Sequence, residues 1–533
     1  MDFNKSLSLL LKDNLTKNSI MVSAQLNFKK LISGIAIALL LLVLIVPSSQ
    51  SQTKWDAQIE TNLKTIISKH KALTSIPNVS TNEANMLKNV DWVQKEFEAL
   101  GFSASLLASS TLPVLLLENE VSKKKKTMLF YLHVDGQDVN PAQWDQEDPF
   151  TPVLKEQDSK GEWNKIDWKL IEGKIDPEWR IFGRAVADDK GPIIMLSTAL
   201  EMFKEQNKKL NFNIKIIIDL QEETSSAGFL ETLEKYKSRY AADYFIIMDG
   251  PAHPTNQPTI TFGCRGIATC SIRLYGPKLP QHSGHYGNYA PNPVFAMSHL
   301  LASMKDENGR VLIDGYYDGI KLSPETQQIL ENVPDDATAI NQTLGINTPD
   351  KVGENYQESL QYPSFNVRQI ETSWKGPKPK TIIPEIITAH IDVRLVKETD
   401  GQAQLDKIKK HIEQQGYLVL DRVPTDEERL NNAHIATFKS NAGINAFRTD
   451  LDSPLGLKIK SQIEIEFGQS PVLIRTMGGT VPITPAINAL DIPAVIVPMV
   501  NMDNNQHNPN ENIRIGNISQ GVKICLAILS MKL

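Results

Sequence analysis

The sequence predicts an α/β protein: a mostly parallel sheet with helices on both faces, interrupted by a smaller α+β domain. Three observations carry this. Between residues 127 and 250, short apolar runs alternate with helical patterns, the rhythm of βαβ units. Near Gly266 the pattern changes to apolar–polar alternation, the mark of half-exposed strands. After about residue 425 the buried-strand pattern returns. At 533 residues the chain is also too long for one ordinary core.

Residues 1–51 stand apart. NFKK at 27–30 precedes LISGIAIALLLLVLIV at 31–46 and then PSSQSQ. A basic flank, 16 apolar residues and a small polar exit read as a secretory signal, about 21–51, with Met21 as a plausible start. Sixteen residues fall short of the roughly 20 that a span needs. The expectation is a secreted or periplasmic protein with no stable membrane span after cleavage; an uncleaved anchor is the alternative. No cysteine follows the apolar run, so lipidation at a cysteine is not indicated.

From 54 to 101 the chain reads as helical. NEANMLKNVDWVQKEFEALGF puts Met86, Val90, Val93, Phe97 and Leu100 on one face, with Gly101 as a C-cap. The strand TMLFYLHVD (127–135), a helix from Pro192 to about Lys208, IKIIIDL (214–220), a helix around 228–239 and DYFIIMDG (243–250) complete the first part, 52–265. The insertion, 266–425, opens with IATCSIRLYG (267–276) and a helix at 293–304. A polar stretch, 305–380, separates these from EIITAHIDVRLV (385–396), a helix at 400–415 and YLVLDRV (417–423). The second part, 426–533, has a helix at 454–468, PVLIR (471–475), PAVIVPMV (493–500) and a closing helix at 517–532.

Composition is that of a globular protein, 41% hydrophobic and 22% charged, with formal net charge −6. Loss of 1–51, which carry a net +3, leaves −9. No long basic stripe is present, which argues against a nucleic-acid partner. Cys264, Cys270 and Cys525 are too few and too scattered for a disulfide framework and read as small buried hydrophobes.

The chemistry lies at the C-terminal ends of the core strands, where open α/β sheets bind ligands. YLHVD ends in His133 and Asp135, and GRAVADDKGP carries Asp188 and Asp189. DLQEE carries Glu222 and Glu223, IIMDG carries Asp249, and NNQHNPNE carries His507. Two adjacent acids at the mouth of a core strand repel unless a cation sits between them or one holds a proton. Five segments sending carboxylates and imidazoles to one edge call for divalent metal. A His/Asp/Glu set without thiolate suits Zn²⁺, with Mn²⁺ or Co²⁺ as alternatives. Two ions roughly 3.5–4 Å apart need one bridging carboxylate and two further ligands each, which leaves one acid of the Glu222–Glu223 pair as general base. Asp135, two residues past His133, can fix the tautomer of that ring.

The order H-x-D, D-D-K-G, E-E, D-G and a late His resembles the di-zinc metallopeptidases that include carnosinase, aminoacylase, glutamate carboxypeptidase and succinyl-diaminopimelate desuccinylase. The resemblance covers about 54–533 and implies a catalytic domain interrupted by a lid, or dimerisation, domain. It implies two Zn²⁺, with Asp188 bridging, His133 and Asp249 on one ion and Glu223 and His507 on the other. Glu222 becomes the general base. QHSGHYGN resembles the lid motif whose His, here His282, reaches across a homodimer to stabilise the oxyanion. HIDVRLV resembles the strand whose Arg, here Arg394, grips the substrate carboxylate. RTMGGTVPIT resembles the glycine-rich substrate loop, Gly478, Gly479 and Thr480. PAQWDQEDPF resembles a dipeptidase-type loop. The implied substrate is a dipeptide or short peptide, with an N-acyl amino acid as the alternative. Ala185, Met477 and Asn288 depart from the family pattern, and none of them removes a ligand.

Overall fold

The computed structural model describes residues 54–533; the expected signal segment lies outside them. No helix among these residues is long and apolar enough to cross a membrane.

The central sheet has eight strands. From one edge to the other they are Ser103–Leu107, Val114–Asn119, Asn213–Asp219, Thr127–His133, Tyr244–Ile247, Ala494–Ile496, Thr259–Thr261 and Val472–Ile474. The four in the middle run parallel. Antiparallel pairs close the first edge, and Thr259–Thr261 lies antiparallel to Ala494–Ile496. The parallel centre is buried on both faces. Met128, Phe130 and Leu132 enter one core; Leu129 and Tyr131 enter the opposite one, with Phe229, Ile483 and Ile487. Ile214, Ile216 and Ile218 likewise face one side and Ile217 the other. That is why these runs do not alternate: each Ile or Leu gains about 1.5–3 kcal/mol of burial whichever way it points. Lys190–Glu205, Ile515–Leu529 and Lys54–Thr74 pack together on one face. Met86, Val90, Val93 and Phe97 of Glu83–Ala99 are buried, as their spacing predicts.

The second sheet has five strands in the order Asn366–Thr372, Ile386–Leu395, Gly266–Tyr275, Ile435–Ile444 and Leu418–Leu420. All neighbours are antiparallel except the last pair. Gly266–Tyr275 alternates buried and half-buried along its full length. Its buried side, with helices Pro293–Met304 and Gly401–Gln414, forms a separate core. Ile435–Ile444 pairs along Gly266–Tyr275, so strands of this sheet extend beyond residue 425.

Two features go beyond the sequence reading. The polar stretch 305–380 contains helices Pro324–Glu331 and Ala337–Leu344 and the strand Asn366–Thr372. That strand is mostly exposed, so no apolar alternation announces it. A small antiparallel sheet joins Asn512–Arg514, Arg180–Phe182, Val153–Gln157 and Trp163–Lys165. It ties the loop after Phe182 to the loop before Asn512, and both carry expected ligands.

The three cysteines are free and buried. Burial pushes the Cys270 thiol up to about 12, which leaves it inert.

Candidate metal centre

His133 is the last residue of its strand and is fully buried. Asp188 lies between Arg180–Phe182 and Lys190–Glu205. Asp189 is the N-cap of that helix, yet its side chain makes no cap hydrogen bond. Instead its Oδ2 accepts from His133 N at 3.1 Å. Glu222–Thr224 is a 3₁₀ turn just past Asn213–Asp219. Asp249 follows Tyr244–Ile247, and His507 sits in a loop with φ 63°.

These segments converge. His133 Nε2 lies 2.8 Å from Asp188 Oδ1 and 4.0 Å from Asp249 Oδ2. His507 Nε2 lies 3.1 Å from Asp188 Oδ2 and 3.2 Å from Glu223 Oε2. His133, Asp188 and Asp249 each offer one ligand atom, all within 4.8 Å of one another. Asp188, Glu223 and His507 do the same, and Asp188 belongs to both groups.

The charges show what the site lacks. Burial, then the carboxylates of Asp249, Asp188 and Glu223, push Glu222 well above the usual carboxylate range against the pull of His133. Burial and Asp188 push Glu223 up to about 7, and Asp249 up to about 6. Burial would lower His133, but its interactions with Asp135 and Asp188 hold it well above an ordinary histidine. Burial would raise Asp188, but His133 and His507 hold it well below. Without a cation, burial and mutual repulsion favour the protonated forms of Glu222, Glu223 and Asp249. Oxygen and nitrogen donors in two groups that share one carboxylate fit a pair of divalent cations, which would replace those protons.

The surroundings orient the donors. Asp135 is buried and accepts from Glu222 N at 3.0 Å and Glu223 N at 3.2 Å, which fixes the turn that presents both acids. It also lies 3.4 Å from His133 Nδ1. That nitrogen is buried beside the Asp135 carboxylate with no other polar partner. Gln137 Nε2 donates to Glu223 Oε2 at 2.8 Å.

Sequence reasoning missed Glu511. Its carboxylate is almost completely buried and accepts from Arg184 Nη1 at 2.8 Å and from the backbone N–H of Ala185, Ala187 and Asp188 at 2.9–3.1 Å. The turn that wraps it includes Ala185 at φ 59°. Glu511 thereby anchors the Asp188 segment from the loop that holds His507. Its place four residues after His507 was the available signal.

Arg394 and Thr480 meet: Arg394 Nη1 donates to Thr480 Oγ1 at 2.9 Å. A Cβ added at Gly478 or Gly479 would meet only side-chain ends, at 3.5 and 3.4 Å, so packing within the described chain does not demand glycine there. His282 is not gathered with the five donors. It is exposed on Gln281–His282, accepts from Gly284 N at 3.0 Å and stacks on His285 at 4.7 Å. His253, four residues past Asp249, is buried with Nε2 3.1 Å from Asp335 Oδ1.

The chain is similar to several known proteins. The human Beta-Ala-His dipeptidase is 26% identical over 423 residues, 78% of this chain and 76% of that protein. The Cys-Gly metallodipeptidase dug1 of Schizosaccharomyces pombe is 25% identical over 471 residues, 84% of this chain and 92% of that one. The crystal structure of an M20 family metallo-carboxypeptidase, Sso-CP2 from Sulfolobus solfataricus, superposes with TM-score 0.67 at 24% identity, covering 88% of this chain and 99% of that one. Residues 129–531 match the profile of Peptidase family M20/M25/M40. That span takes in every strand end that feeds the cluster, and the chain belongs to this peptidase family.

Proposed function

We propose that the protein is a metal-dependent dipeptidase. The observation that carries this reading is the pair of donor groups sharing Asp188, with Glu222 outside both but within reach of their charges. Relatives named as dipeptidases support the substrate class. When bound, two divalent ions, Zn²⁺ by the donor chemistry, would polarise the scissile carbonyl and acidify the attacking water.

The chain's own residues do the rest in this reading. His133 and Asp249 would hold one ion and Glu223 and His507 the other, with Asp188 available to both. Glu222 takes a proton from the attacking water and passes it to the leaving amine nitrogen as the C–N bond breaks. Asp135 keeps Glu222 and Glu223 in register through their backbone N–H groups. Arg394, steadied by Thr480, receives the terminal carboxylate of the peptide. Gly478 and Gly479 leave room for substrate backbone. His282, exposed on the short strand that pairs with Ile382–Ile383, would stabilise the oxyanion in the site of a second copy in a homodimer. Secretion through the segment at 21–51 belongs to the same proposal.

The test uses metal-stripped protein, reloaded with Zn²⁺ or not, on a panel of dipeptides and N-acetyl amino acids. Zinc-dependent release of free amino acids from dipeptides is expected. Cleavage of the N-acetyl compounds alone would move the assignment to a deacylase, and no cleavage of either would reject it. Sedimentation of the same sample tests the dimer.

A further inference from the structure

Residues 70–79, HKALTSIPNV, contact two of the segments that feed the metal centre, and no metal donor comes from them. They close helix Lys54–Thr74 and enter the loop before Glu83–Ala99. On the strand side, Asn78 brackets Asp135. Its Nδ2 donates to Val134 O at 2.8 Å, and its own carbonyl accepts from Gly136 N at 3.0 Å. A Cβ added at Gly136 would meet Asn78 Nδ2 at 3.0 Å, so glycine permits this approach.

On the turn side, His70 Nε2 donates to Val186 O at 2.7 Å, two residues before Asp188. Burial lowers His70 to about 4 against the pull of that hydrogen bond, so the ring is neutral and its one proton sits on Nε2. Lys190, two residues after Asp188, reaches back to the same segment. Its Nζ donates to Ile76 O at 2.6 Å and to Leu73 O at 3.0 Å. Leu73 lies in the last turn of helix Lys54–Thr74, where the helix dipole favours a cation.

All three side chains are fully buried. His70 Nδ1 and Asn78 Oδ1 have no hydrogen-bond partner. An unsatisfied buried polar atom costs about 1–3 kcal/mol. Leucine at either place would avoid that cost. Each polar residue instead supplies one donor aimed at one backbone carbonyl, Val186 O or Val134 O. Both carbonyls belong to segments that carry metal donors.

We propose that His70, Asn78 and Lys190 are positioning residues that hold the end of the His133 strand and the Asp188 turn at a fixed separation, and so set how the two donor groups share Asp188. This rests on the two-ion reading of the centre and deepens it. Glu511 holds the Asp188 turn from the His507 side. Residues 70–79 hold it from the His133 side. None of the three belongs to either donor group. Their loss should loosen the centre and leave the substrate contacts as they are.

The experiment compares wild type, His70→Leu, His70→Gln and Asn78→Ala, each stripped of metal and reloaded with Zn²⁺ or Co²⁺. It reads zinc affinity against a competing chelator, the visible spectrum of the cobalt form, melting temperature, and kcat and KM on the dipeptide that the wild type cleaves fastest. His70→Leu and Asn78→Ala should each weaken zinc binding by about 10- to 100-fold, the range for residues that orient metal ligands, and alter the cobalt spectrum. kcat should fall by a similar factor with KM within about 3-fold, because the loss lies in the centre and not in substrate contacts. His70→Gln keeps an N–H donor near the Nε2 position and should bind zinc within about 3-fold of wild type. Wild-type zinc affinity and cobalt spectrum in either His70→Leu or Asn78→Ala overturn the proposal, even where the melting temperature falls. So does a His70→Gln that binds zinc no better than His70→Leu. If His70→Leu does not fold, Asn78→Ala decides by the same readouts; failure of both to fold overturns the proposal, since a positioning role leaves the fold standing. A wild type that binds zinc but cleaves no dipeptide sinks the dipeptidase reading, and the zinc affinities and cobalt spectra still decide the positioning role.

Discussion

Stripping the metal and varying pH reads the charge balance of the centre directly. In the metal-free chain, burial and Asp188 raise Glu223 from 4.5 to about 7 and Asp249 from 3.8 to about 6. His133 and His507 are raised as well, through Asp135 and Asp188 for His133 and through Asp188 and Glu223 for His507. All four groups therefore hold protons when folded at a pH where the unfolded chain has released them. Stability tied to those protons is present at low pH and is lost as pH rises, between about 4 and 7 for the two carboxylates. Asp188, lowered below 3.8, acts the other way: its contribution is present above 3.8 and is lost only as pH falls below it. At about 1.4 kcal/mol per decade, the loss from pH 5 to pH 8 is about 3 kcal/mol for Glu223 and about 1 kcal/mol for Asp249. Both groups face the charge of Asp188, so the total is about 3–4 kcal/mol rather than a strict sum. Bound cations take the place of the protons, and the loaded protein should not show this loss. Urea unfolding of dialysed and zinc-reloaded protein at pH 5, 6, 7 and 8 measures both slopes. A metal-free stability that is flat or rising over this range, or the same slope with zinc present, would refute the reasoning.

Three further perturbations have defined outcomes. Glu222→Gln should keep its zinc, measured by elemental analysis, while dipeptide cleavage falls by about 10²–10⁴-fold; a rate near wild type would remove the base role. Glu511→Gln leaves two donors facing an amide NH₂ and the buried Arg184 without its counter-charge. A loss of about 3–5 kcal/mol in urea unfolding is expected, together with weaker zinc retention against a chelator, and a loss under about 1 kcal/mol would contradict the buried anchor. Gly228→Ala places a Cβ where it would overlap the backbone oxygen of Leu112, so helix Ala227–Tyr236 must shift. An unfolding cost of about 1–3 kcal/mol is expected, and an unchanged urea midpoint would show that the loop gives way.

Much of the fold was legible because burial on two faces leaves a continuous apolar run, and burial on one leaves alternation. Thr127–His133 and Asn213–Asp219 show the first pattern, and Gly266–Tyr275 shows the second. Asn366–Thr372 was not legible, since an exposed edge strand buries too little to mark its residues. The short strands Arg180–Phe182 and Asn512–Arg514 were not either: three residues are too few to set a period. His133, Glu222, Glu223 and Asp249 were readable because each closes a core strand or lies just past it, where the chain's direction is set by the run beside it; His507, in a loop eleven residues past Ala494–Ile496, has no such run beside it.

The sequence by itself determined which residue types arrive at the carboxyl edge of the sheet: His133, Asp188, Glu222, Glu223, Asp249 and His507. Only the tertiary structure decided that Asp188 lies within reach of both imidazoles. It alone showed that Glu511 clasps the backbone of the Asp188 segment. The physical reason is distance along the chain. Apolar periodicity is a local property that neighbouring residues record, whereas a hydrogen bond between residues 188 and 511 leaves no mark on either neighbourhood until the sheet has brought them together.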